Sequence, residues 1–92
     1  MKVYLAARAQ KAYDKTNEPD KSRLNKALFG LGEEPPQGDI KKLQGRNEYS
    51  LHLGGRRILF DIYPDYVNPA TGDKGAVIVS KIETRGGVYK GA

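Results

Sequence analysis

The segment Tyr49-Ser50-Leu51-His52-Leu53-Gly54-Gly55-Arg56-Arg57-Ile58-Leu59-Phe60-Asp61-Ile62 decides how this chain folds. Side chains alternate on both sides of Gly54-Gly55 with the period of a half-buried strand. Two glycines between such runs mark a two-residue hairpin turn of the primed type. That turn fixes the register: Leu53 faces Arg56, His52 faces Arg57, Leu51 faces Ile58, Ser50 faces Leu59 and Tyr49 faces Phe60. One face of the hairpin carries Tyr49, Leu51, Ile58 and Phe60 and belongs against a core. The other presents Ser50, His52 and Arg57 to solvent.

Upstream of the hairpin the pattern is helical. Residues 6–16 are rich in Ala and Lys and stop at Asn17-Glu18-Pro19. Leu24, Leu28 and Leu31 recur at helical spacing over residues 20–31, with Pro19 suited to the first turn and Gly30 and Gly32 closing the helix. These segments form a helical hairpin, basic on its outer face. A short first strand, residues 1–5, precedes it, and the run 33–38, with two successive prolines, is a loop that Lys41 and Lys42 follow just ahead of the hairpin strand. A loop through Pro64, Asn68, Pro69, Gly72 and Gly75 leads to the most apolar strand, residues 76–80, which belongs inside the sheet. The expected class is α+β: an N-terminal strand, the helical hairpin, then three more strands completing a small, antiparallel-dominated sheet, in one domain over residues 1–92.

Composition excludes whole classes of function. The 92 residues are 38% hydrophobic and 29% charged, enough for one modest core. With no cysteine there is no disulfide, thiolate metal site or cysteine nucleophile, and the single His52 makes no histidine-rich metal site. No apolar run approaches the roughly 20 residues of a membrane helix, and the opening MKVYLAARAQ is too polar for a signal peptide. A cytoplasmic protein without membrane attachment is expected. The net charge of +5 favours a polyanionic or acidic partner, and the first 30 residues hold seven basic against three acidic side chains.

The residues now carry a resemblance. Ile40-Lys41-Lys42-Leu43-Gln44-Gly45, followed by the hairpin quoted above, resembles the K-L-x-G, Y-R-x-R-x-G-x-x-R-[VI]-[IL]-[YF]-x-I core of the RelE/ParE toxin superfamily. Ile82-Glu83-Thr84-Arg85-Gly86-Gly87-Val88-Tyr89-Lys90 resembles the closing pattern of the same superfamily, an arginine a few positions ahead of a tyrosine. The resemblance implies a RelE-like, microbial-ribonuclease-type fold and the toxin of a toxin–antitoxin pair. Its RelE-like branch comprises ribosome-dependent endoribonucleases that cut mRNA in the A site by attack of the ribose 2′-OH, without metal or other cofactor. Its ParE-type branch inhibits DNA gyrase without catalysis, and a catalytically silent, antitoxin-binding relative is a third alternative.

The resemblance assigns residues to the nuclease reaction. Arg57 and Arg85 match the two arginines that clamp the phosphate, and Tyr89 matches the terminal tyrosine, a base-stacking or proton-transfer group. Where the nuclease branch has basic residues on the first hairpin strand, this chain has Ser50 and His52. His52, opposite Arg57, is the candidate acid or base. Lys41, Lys42, Ser50 and Arg56 make up the expected RNA-binding surface. The implied partners are the ribosome with its mRNA and an acidic antitoxin that wraps the toxin, a heterotetramer of the two being one such assembly.

Overall fold

The computed structural model describes residues 1–43 and 48–84, with the backbone alone at Thr84. Its elements run β1 (Lys2–Leu5), α1 (Ala7–Lys15), α2 (Asp20–Leu31), β2 (Asp39–Lys42), β3 (Glu48–Leu53), β4 (Arg56–Val67) and β5 (Lys74–Thr84). The strands form one five-stranded sheet in the order β1-β5-β4-β3-β2, with β1 parallel to β5 and every other pair antiparallel. The class is the α+β one expected, and β5, which contains the apolar run, lies inside the sheet.

Every hairpin pair expected from Gly54-Gly55 is present, from Leu53 opposite Arg56 to Tyr49 opposite Phe60. Gly54 has φ +56°, which the first position of a primed turn demands and L side chains resist. Both helices pack on the face that carries Leu51, Ile58 and Phe60. The largest fully buried side chains are Phe60, Leu24, Leu31, Ile58, Val77 and Val79. Helix α2 starts with help from Glu18, whose Oε1 accepts the backbone N–H of Ser22 at 3.0 Å, and Asp20 in the first turn complements the helix dipole. Gly30 lies within α2, and Gly32 follows it in right-handed backbone, so neither supplies the left-handed cap.

Two expectations need correction. Lys41 and Lys42 are not in a lead-in but on β2, a fifth strand that pairs with β3, Lys41 opposite Ser50 and Lys42 opposite Tyr49. Its sequence, Asp39-Ile40-Lys41-Lys42, has one apolar residue and no alternation to read, as befits a short charged strand guarding a sheet edge. Gly38, with φ +129°, immediately precedes it, and an added Cβ there would lie 2.5 Å from Leu51 Cδ1. The second correction concerns the long loop after Ile62. Strand β4 continues through Pro64 to Val67 and β5 starts at Lys74, the register slipping between Tyr63 and Val67 where the proline cannot donate to the ladder. The connection shrinks to residues 68–73, closed by Asn68 N–H donating to Asp73 O at 2.8 Å and Gly72 N–H donating to Asn68 O at 2.7 Å.

Phe60 is the centre of the core. It is fully buried, opposite Val79, and stacks on Tyr49 with ring centroids 5.6 Å apart. Phe60→Ala should lower the unfolding free energy by about 3–5 kcal/mol, a large share of the ~5–15 kcal/mol of a small domain. Urea denaturation checks this. A loss below about 1 kcal/mol would show that the neighbours collapse into the space.

Candidate functional site

The sheet face away from the helices carries the polar chemistry. Alternation and register set Lys41 (β2), Ser50 and His52 (β3) and Arg57 (β4) together on it. A β-bulge adds β5 to this group. Between Leu59 and Phe60 the pairing with β5 slips by one residue, so that Leu59 faces Lys81 while Phe60 faces Val79. Without the slip, Arg57 would lie opposite Ile82. With it, Ile82 turns into the core opposite Ile58, and Glu83 comes opposite Arg57. Ser80, the extra residue, donates its hydroxyl to Leu59 O at 3.2 Å.

The result is a charged row across β3, β4 and β5. Arg57 donates from Nε at 2.9 Å and from Nη2 at 2.7 Å to one oxygen, Glu83 Oε1. Lys81 Nζ lies 3.2 Å from the other, Oε2. The hydrogen bonds from Arg57 and then Lys81 hold the Glu83 carboxyl below its ordinary value, against a smaller opposing effect of burial. On the other side of Arg57, His52 Nδ1 is 3.8 Å from Asp39 Oδ2 on β2, beyond hydrogen-bond distance. The His52 and Arg57 side chains are each 53% exposed, so this is an open surface that a large substrate can lie across.

Further along the same face the character changes. Tyr4, Asp61, Tyr63, Tyr66, Ala76 and Ile78 line an open cleft of about 850 Å³. The Asp61 carboxyl there is raised above its ordinary value, mainly by burial and then by Glu48 opposite it, while a hydrogen bond with Tyr63 acts the other way.

Arg56 does not join the group. It pairs with Leu53 on the helix-side face, where its Nη1 is 3.3 Å from Asp20 Oδ2 and its side chain is only 20% exposed. It ties the hairpin turn to the start of α2. Lys42, opposite Tyr49, has the same parity as Arg56, although it is exposed at the sheet edge. The other two expected site residues, Arg85 and Tyr89, lie outside the described residues. Lys81, Glu83 and Asp39 are the site residues that the sequence did not disclose. Among the described residues no three His, Asp or Glu side chains are grouped to hold a metal ion, and no helix is long and apolar enough to cross a membrane.

No protein-family model and no curated protein matches the chain. Solved structures do. A chain of the RelBE2 toxin–antitoxin complex of Mycobacterium tuberculosis superposes with a TM-score of 0.64 and 16% identity over 91% of this chain and 96% of its own. A chain of the RelB–RelE antitoxin–toxin complex of Methanococcus jannaschii gives a TM-score of 0.62 and 20% identity over 95% of each chain. The intact RelBE complex of E. coli gives 0.62 and 22% over 90% and 94%. The fold is therefore RelE-like, as the hairpin motif implied.

Proposed function

We propose that the chain is the toxin of a toxin–antitoxin pair and acts as a ribosome-dependent endoribonuclease on mRNA. The observation that carries this reading is the gathering of Lys41, Ser50, His52, Arg57 and Lys81 on one helix-free sheet face of a RelE-like fold. A structural ion-pair network has no need of a proton-transfer group across the ladder from the guanidinium, whereas metal-free cleavage by 2′-OH attack uses both a base and a cation at the phosphate. His52 takes the proton from the ribose 2′-OH, O2′ attacks phosphorus, and the bond to O5′ breaks as that oxygen is protonated. The products are a 2′,3′-cyclic phosphate and a 5′-hydroxyl. Arg57 binds the phosphate oxygens where negative charge develops. Arg85 is assigned the second phosphate contact and Tyr89 stacking on a base or protonation of the leaving oxygen, on the resemblance alone. Lys41 and Lys42 contact the backbone of the bound strand.

The partner in this reading is an acidic antitoxin. The +5 charge of the chain favours it, and so does Phe29, an 81% exposed aromatic beside an open groove of about 640 Å³ lined in part by Val3, Leu5, Tyr13 and Leu28.

Purified protein added to ribosomes translating a defined mRNA should produce cuts in the A-site codon, mapped by primer extension. Absence of cuts together with gyrase-dependent DNA breaks would establish the ParE-type alternative. Absence of both, with tight binding of an acidic partner protein, would establish a silent relative.

A further inference from the structure

The Arg57–Glu83–Lys81 row has a geometry that an incidental surface pair does not need. Guanidinium carries five N–H donors: the Nε and inner Nη2 hydrogens along one side, and three more around the end. Glu83 Oε1 takes the side pair, at 2.9 and 2.7 Å, and among the described residues nothing else meets the end that spans Nη1 and Nη2. That end is a fork suited to two oxygens of one phosphate. The carboxylate is itself fixed. Its second oxygen is met by Lys81 at 3.2 Å, and its side chain is 30% exposed against 53% for Arg57. Its place depends on the bulge between Leu59 and Phe60, which turns Lys81 and Glu83 to this face.

We propose that Glu83 is a positioning residue: anchored by Lys81, it fixes the long Arg57 side chain so that the free end of the guanidinium points at the scissile phosphate. This rests on the nuclease reading, in which Arg57 meets that phosphate. Glu83 touches no reacting atom. It acts by holding Arg57 in one arrangement before the RNA arrives. The rival role is that of a counter-ion, which would compete with phosphate for Arg57 and weaken RNA binding.

Single-turnover cleavage of a defined mRNA on ribosomes separates these roles, using the full chain and the variants Glu83→Ala, Glu83→Gln, Arg57→Ala and Arg57→Ala/Glu83→Ala. Glu83→Ala should lower the maximal rate about tenfold and shift half-saturation by less than about twofold. Glu83→Gln keeps an oxygen acceptor in place of Oε1 and should recover most of that rate. In the Arg57→Ala background, Glu83→Ala should change nothing further. The Arg57 Nε–H resonance should exchange slowly in the wild type and in Glu83→Gln, and be lost in Glu83→Ala. Equal rates for the Ala and Gln variants, or tighter ribosome binding with undiminished rate in Glu83→Ala, would overturn the proposal. If the wild type makes no cuts, or Arg57→Ala cuts as well as the wild type, the nuclease reading fails instead. The Nε–H resonance then decides alone whether Glu83 holds Arg57.

Discussion

Arg57→Ala should reduce mRNA cleavage on ribosomes by about 10²–10³-fold, the usual effect of removing one donor aimed at charge that develops in the transition state. Stability should barely change. The side chain is half exposed, and its partner Glu83 keeps Lys81 as a neighbour, so the unfolding free energy should change by no more than about 0.5–1 kcal/mol. Arg57→Lys makes the case sharper. A lysine keeps the charge but has no planar fork to engage Glu83 on one edge and phosphate on another, so it should restore ribosome binding and little of the rate. Growth arrest on induction, primer extension and urea denaturation of the same variants provide the check. A folded Arg57→Ala protein that still arrests growth at the wild-type level removes Arg57 from the chemistry and the nuclease reading with it.

What could be read in the chain follows from the range of each interaction. The Tyr49 to Ile62 hairpin is local: its turn, alternation and register lie within one short segment, and every expected pair is found. Arg56 belonged to the same local logic. Parity with Leu53 already put it on the helix-side face, and its ion pair with Asp20 agrees with that parity and not with a place among RNA-binding residues. Strand β2 was hidden because a four-residue edge strand draws its order from pairing with β3, and Lys41 and Lys42 carry no alternation of their own. Glu83 was hidden for a stronger reason. It lies 26 positions from Arg57, and uninterrupted pairing from Phe60 opposite Val79 would set Ile82, not Glu83, against the arginine. One inserted residue at Ser80 reverses which side chains face the site, and a β-bulge leaves little trace in a run as short as Val77-Ile78-Val79-Ser80-Lys81. The functional face was thus legible on β3 and β4 and illegible on β5, where long-range register decides it.

His52→Gln should have the largest effect of any substitution on this face that leaves the fold intact. Glutamine has similar reach and polarity but cannot exchange a proton near neutral pH, and a general base contributes about 10²–10⁴-fold to rate. The surroundings of His52 suit the role. Its Nδ1 is directed toward Asp39 on β2, which leaves Nε2 as the ring nitrogen available to a bound ribose, and Arg57 stands directly across the ladder where the phosphate would lie. The 2′-OH and the phosphorus it attacks are adjacent in RNA, so base and clamp must be neighbours, as residues opposite one another on paired strands are. The single-turnover rate on ribosomes should therefore fall by about 10²–10⁴-fold with ribosome binding unchanged. Asp39→Asn should cause a smaller loss, because at 3.8 Å the carboxylate biases the ring without bonding it. If His52→Gln cleaves at the wild-type rate, the imidazole is a bystander. The base must then come from Glu48 or Lys41 on the same face, from Lys42 at its edge, or from Tyr89.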